Sequence, residues 1–263
     1  MDRTALLAQL GQALPVRVER TPLPPSGNVG LVVVDAVQGF TRRGSLSDPA
    51  SMAPMVREVN RFVRRLDRDL GQRLRVLVLR DRHDPDVPEP PYPPHCIAGT
   101  GEERLDPDLA WLAGRAAIVD KDCINGFVGA MRPVAINGAS LGESRLIWRN
   151  LLVEWVLEHR LRSLVLVGDC TDICVSDLAL ALLSARNHGM LTRATSHERA
   201  TYIQAITDFS VYVHVPACAT FDLDPDTELP HETQRHPGPV AHHVGLWLMA
   251  SRGARLINGF ESA

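Results

Sequence analysis

The sequence predicts an α/β fold of three layers (αβα), with helices covering both faces of a central, mostly parallel, six-stranded sheet. Three observations carry that expectation. Runs such as GLVVVD (30–35) and SLVLVGD (163–169) are apolar throughout rather than alternating, the pattern of strands buried on both faces. Between the runs lie stretches with apolar residues at helical spacing, as in successive βα units. At 263 residues with 45% hydrophobic content, the chain can bury one such core.

Taken in order, MDRTALLAQLGQALPVRVER reads as an amphipathic helix and TPLPPSG as a Pro-rich link, which sets residues 1–29 apart from a domain at 30–263. The first strand, 30–35, ends in Asp35. MVREVNRFVRRLDRDL (55–70) has helical spacing with its arginines on the outer face. RLRVLVLRDRH (73–83) is the second strand and AAIVDK (116–121) the third. SRLIWRNLLVEWVLEHRL (144–161) reads as one helix, followed by the fourth strand at 163–169. DICVSDLALALLSARNHG (172–189) is a helix closed by Gly189, a residue suited to the left-handed position past a helix end. SVYVHVPA (210–217) is the fifth strand. AHHVGLWLMASRG (241–253) and ARLI (254–257) complete the series as helix and short strand. There is no internal repeat and no glycine-rich dinucleotide fingerprint.

The bulk chemistry excludes several classes. A net charge of -3 argues against nucleic acid or an anionic membrane as partner. No apolar run reaches the length of a membrane span, and the N-terminus, with Asp2 and no clear cleavage site, does not read as a signal peptide. Five cysteines without framework spacing suit free thiols in a reducing cytoplasm.

In a parallel sheet of this kind, ligands bind beyond the carboxyl ends of the strands, where strand order reverses. Asp35, Asp81, His83 and Lys121 all fall at such ends, and the fourth strand runs into GDCTDICV. Lys and Arg total 28, and Lys121 is the single lysine, so the other 27 are arginine. Either a codon bias toward arginine left one lysine behind, or the site needs a compact ammonium where a guanidinium fork does not fit. Cys174, in the first turn of a helix, would feel the positive helix end and a nearby ammonium, both of which favour thiolate. A carboxylate could take its proton. Cys96, Cys123 and Cys218 read as ordinary small buried residues, and Asp172 as a helix cap.

A second group is RDRHDPDVPEPPYPPHC. Asp81 and His83 share a face of an extended strand, and His95 returns through a loop stiffened by Pro88, Pro90, Pro91, Pro93 and Pro94. One carboxylate and two imidazoles suit zinc, manganese or iron(II), with Glu89 as a further ligand. The alternative is a solvated acidic loop with incidental histidines.

Together, LVVVDAVQGFTRRGSL, RDRH…PYPPHCIAGTGEERL, VDKDCINGF and VGDCTDICV resemble, in order, the signature segments of the isochorismatase-like cysteine hydrolases, and the second resembles the nicotinamidase/pyrazinamidase branch. The resemblance covers residues 30 to 188, and more loosely ACATFD at 217–222. It implies a catalytic triad of Asp35, Lys121 and Cys174, and a divalent metal, zinc first, on Asp81, His83 and His95 with Glu89. It also implies an oxyanion hole from the amides of Cys170 and Cys174 after a cis peptide. Phe40, Tyr92 and Phe127 become candidates to pack a substrate ring. The implied reaction is hydrolysis of nicotinamide to nicotinate and ammonia through a thioester. A relative acting on another small amide, ureide or isochorismate-like substrate is the alternative, as is a silent scaffold. The partner is a small molecule, and homo-oligomerisation stays open. Segments 128–150 and 190–209 and the N-terminal helix exceed the family pattern, and the loop between His83 and His95 is shorter than in many nicotinamidases.

Overall fold

The computed structural model describes residues 3–24, 26–137, 144–222 and 236–261. The chain opens with helix α1 (Arg3–Ala13) and strand β1 (Glu19–Thr21). Strand β2 (Asn28–Val34) follows, so the stretch before residue 30 contributes a strand as well as a helix. Along β2, Leu31 and Val33 enter one core and Val32 and Val34 the other, as the unbroken apolar run requires. The short helix α2 (Gln38–Thr41) leads into α3 (Pro49–Leu70). Helix α3 starts six residues earlier than its sequence pattern suggested. Asp48 caps it by accepting a hydrogen bond from the Ser51 N–H at 3.1 Å, and Pro49 fills the first helical position, where a missing N–H costs nothing.

Strands β3 (Leu74–Asp81) and β4 (Ala117–Lys121) come next, then the turn-length helix α4 (Gly126–Gly129). The segment expected as one helix over 144–161 is split. Strand β5 (Met131–Asn137) pairs antiparallel with β6 (Ser144–Asn150), and only Leu151–Glu158 is helical, as α5. Asn150 makes the break, its side chain accepting from the Val153 N–H at 3.0 Å. Residues 138–143, inside the long 128–150 segment, lie outside the described residues.

The second half holds β7 (Leu161–Asp169), α6 (Cys174–Asn187), α7 (Arg199–Asp208), β8 (Ser210–Ala219), α8 (Gly238–Ser251) and β9 (Arg255–Phe260). Gly189 follows the α6 end at φ 78° as expected. Among the described residues the main sheet has seven strands rather than six, in the order β1-β9-β8-β7-β2-β3-β4, and every pairing in it is parallel. The additional strand is β1, only three residues long and too short for a periodicity to announce it. One core packs α3 against the sheet and the other packs α5, α6 and α8, giving the three layers. From β2 the chain moves outward through β3 and β4, then returns to β7 on the other side of β2. The reversal point therefore lies between β2 and β7.

Candidate active site and metal centre

The carboxyl ends of β2, β3, β4 and β7 meet at this reversal. Asp35 follows β2 with φ 51°, a left-handed conformation that aspartate tolerates better than most residues. Asp81 and Lys121 are the last residues of β3 and β4 and lie directly opposite each other in the ladder. Register alone thus delivers the Lys121 Nζ to within 2.7 Å of Asp81 Oδ1. A Cβ on Gly129 would stand 2.5 Å from the Lys121 Cβ, so glycine there lets α4 close over the lysine stem. At the centre of the sheet, Gly168 has φ 117° and an added Cβ would meet Val34 O at 1.9 Å. Only glycine allows β7 to approach β2 so closely. The Asp169–Cys170 peptide is cis, and Cys174 is the first residue of α6.

Asp35, Lys121 and Cys174 come together as the sequence suggested. Lys121 Nζ forms an ion pair with Asp35 Oδ2 at 2.9 Å, outside the angle of a good hydrogen bond. It also donates to Cys123 O at 3.1 Å and lies 3.9 Å from Cys174 Sγ. All three residues are buried. Burial pushes Asp35 up to about 7, opposed by the charge of Lys121 and helped by that of Asp81. Burial would discharge Lys121, but the two carboxylates hold it charged, above its ordinary value. Cys174 departs from expectation. Burial drives its thiol well above the usual range, more than Lys121 lowers it, and Asp35 and Asp81 add to the rise. The helix end and ammonium therefore do not leave a standing thiolate.

The second group also assembles. His83 Nε2 lies 3.0 Å and His95 Nε2 3.3 Å from Asp81 Oδ2. Donors held by one ion at about 2.0–2.2 Å stand about 3.0–3.5 Å apart, so the three fit a divalent metal. His95 Nδ1 donates to Pro93 O at 2.8 Å, which leaves Nε2 as the lone-pair nitrogen facing the cluster. Glu89 Oε2 sits 3.6 Å from His83 Nε2 and 3.5 Å from His95 Nε2, at the rim of the set. Burial would raise Asp81, yet Lys121 and the two imidazoles hold it well below its ordinary value. Asp81 thus faces the ammonium with one oxygen and the two histidines with the other.

A small pocket joins the two groups. Phe40 and Tyr92 line it beside Cys174 and His95, with ring centroids 5.6 and 6.1 Å from His95. Phe127 does not reach it. That ring packs against the α5–α6 core, and its carbonyl accepts from Asn150. Phe221 and Ile173 line the pocket instead; Phe221 lies in ACATFD, the loosest of the matching segments. Asp172 does not cap α6. Its Oδ2 is 2.7 Å from His236 Nε2, and His236 Nδ1 donates to Phe221 O at 2.8 Å. Asp169 went unnoticed in the sequence. It is fully buried beside the triad, and neither of its oxygens has a hydrogen-bond partner among the described residues.

Residues 29–257 match the isochorismatase domain family. The chain is 39% identical over 270 residues to Nicotinamidase 1 of Arabidopsis thaliana, covering 98% of this chain and 97% of that one. Solved structures share the fold. A pyrazinamidase/nicotinamidase from Streptococcus mutans superposes with a TM-score of 0.56 at 21% identity, over 88% of this chain and 100% of that one. A pyrazinamidase of Pyrococcus horikoshii in complex with zinc gives 0.54 at 19% identity, over 87% and 98%. PnC1 from L. infantum in complex with nicotinate gives 0.56 at 18% identity, over 93% and 100%. Because the match runs from β2 to β9 and so takes in every strand that carries a site residue, the chain belongs to the isochorismatase family.

Proposed function

We propose that this protein is a metal-dependent amidohydrolase that converts nicotinamide to nicotinate and ammonia. The observation that carries the reading is the buried contact of Asp35, Lys121 and Cys174 beside the Asp81–His83–His95 cluster. Near-full-length similarity to a nicotinamidase supports the substrate.

In the mechanism, Asp35 accepts the Cys174 proton, and the sulfur adds to the carboxamide carbon. Its tuning to about 7 places this base where transfer is effective at neutral pH. Lys121 stays protonated and stabilises the anionic Asp35 and the sulfur. The new oxyanion is received by the backbone N–H groups of Cys170 and Cys174, the latter an end-of-helix donor without an intrahelical acceptor. Asp35 returns its proton to the nitrogen, the C–N bond breaks, and ammonia leaves a thioester. Asp35 then takes a proton from water, hydroxide adds to the thioester carbon, and the C–S bond breaks. Nicotinate departs and the sulfur is reprotonated. Phe40, Tyr92 and Phe221 would hold the ring. Asp81, His83 and His95, with Glu89 at the rim, would hold zinc, which when bound supplies a Lewis acid for the ring nitrogen.

The test is ammonia release from a panel of amides and ureides, together with metal analysis. Nicotinamide should be the best substrate, and Cys174→Ala should abolish turnover while folding is kept. His83→Ala should lose most of the metal. A His83→Ala protein with wild-type metal content and turnover would remove the proposed metal site, and preference for a ureide would remove the nicotinamide assignment.

A further inference from the structure

A cavity separate from the catalytic pocket opens at the other end of the sheet. It lies where β7 begins and where the chain enters β8, with a volume of ≈ 260 Å³. Eight residue steps of β7, about 3.3 Å each, separate it from Asp169 at the catalytic end. The volume is slightly below the roughly 300–1,000 Å³ of drug-sized ligand sites and suits a single ring. Its floor is apolar, with Val156, Leu191 and Phe209 all buried. Its rim carries Arg160, Arg162, Arg193 and one acid, Asp208. Helix α7 and the segment before it supply one wall.

The three arginines are not equally engaged. Arg162 pairs with Asp208 at 3.6 Å. Arg193 uses Nε to donate to Leu157 O at 3.2 Å. Arg160 has no ion pair among the described residues. It also occupies an unusual backbone position. It follows the C-cap His159 of α5 and has φ 49°, the left-handed site past a helix end where glycine is the usual choice. A long side chain there carries backbone strain, and among the described residues no side-chain hydrogen bond or ion pair of Arg160 offsets it. The rim keeps two positive charges in excess once Asp208 is set against Arg162, above a dry floor.

We infer that this cleft binds a small organic dianion with an apolar ring, the ring lying on the Phe209 floor and the anionic group held by Arg160 and Arg193. Guanidinium forks match carboxylate and phosphate oxygens in pairs, so the dianion is a ring phosphomonoester or a ring dicarboxylate. The site is independent of the hydrolase reaction, and its test reads binding rather than turnover.

Phenyl phosphate, phthalate and inorganic phosphate are titrated by calorimetry and thermal shift at about pH 8, where a phosphomonoester is doubly charged. The ring dianion whose headgroup fits should bind at least about tenfold more tightly than inorganic phosphate, and whichever of the two binds identifies the headgroup. Arg160→Gly should weaken that binding about tenfold or more while melting no lower than wild type, since glycine relieves the left-handed strain. Arg193→Gln should weaken it as well. Absence of binding by both ring dianions would overturn the proposal. So would unchanged affinity in Arg160→Gly, or inorganic phosphate binding as tightly as the tighter of the two ring compounds.

Discussion

Lys121 shows why one lysine persists among arginines. Its ammonium touches two carboxylates and a carbonyl within 3.1 Å, its stem lies under Gly129, and it is buried. A guanidinium keeps the charge but needs room that Gly129 and the β3–β4 register deny. Lys121→Arg should therefore lower turnover about a hundredfold or more, the scale of a misplacement near 1 Å, with a near-normal melt. Activity within about threefold of wild type would return the lysine to codon bias. Asp169 gives a second residue-scale prediction. Burial, with the charges of Asp35 and Asp81 adding, raises its pKa well above 3.8. Between the unfolded and folded values the native state holds a proton that the unfolded state has lost, so this group's contribution to stability falls as pH rises. Asp169→Asn removes the titration. Its melting temperature relative to wild type should rise as pH climbs above the ordinary aspartate value, and a pH-independent difference would show that the carboxyl is not held protonated.

At the scale of elements, Asp48 joins a helix to the pocket wall. One oxygen caps α3, and the other accepts from the Asp222 N–H at 2.9 Å, next to Phe221. Asp48→Ala should cost about 1–2 kcal/mol of stability, as lost caps do. It should also raise KM more than it lowers kcat, because Phe221 loses its anchor. Denaturant melts and steady-state kinetics check both parts, and an unchanged KM would mean the 217–222 segment is positioned otherwise. The β5–β6 hairpin marks the limit of pattern reading. Within SRLIWRN, Leu146 and Trp148 alternate toward solvent, 66% and 64% exposed, across from Ala135 and Pro133. Their period of two was masked by the helical spacing of the LLVEWVLE that follows.

At the scale of the molecule, the N-terminal segment closes one edge of the sheet. Strand β1 pairs with β9, Thr21 O accepts from the Glu261 N–H at 2.9 Å, and Arg3 makes a double contact with Asp222 at 2.8 and 2.5 Å. Removing residues 1–21 would bare the β9 edge, and exposed edges pair with other chains. The truncated protein should melt lower and self-associate at concentrations where the full chain does not. Light scattering that shows the same mass for both would argue that β1 protects nothing.

The α/β class and the approximate places of β2, β3, β7 and β8 were legible because both faces of these strands are largely buried, which forces unbroken apolar runs; β4, at the sheet edge and exposed at Ala117 and Ile118, was legible from its short apolar run alone. The convergence of Asp35, Lys121 and Cys174, and of Asp81, His83 and His95, was legible because most of them fall at the ends of parallel strands and because ordered motifs carried the family resemblance. Strand β1, the hairpin, Phe221 in place of Phe127, and the isolated carboxyl of Asp169 were not. Each depends on which distant segment lies alongside, and no local spacing encodes that. The state of Cys174 is the clearest case. Its helix position suggested a lowered pKa, but desolvation by the packed core and two neighbouring carboxylates outweighs one helix end and one ammonium, and only the tertiary structure assembles that balance.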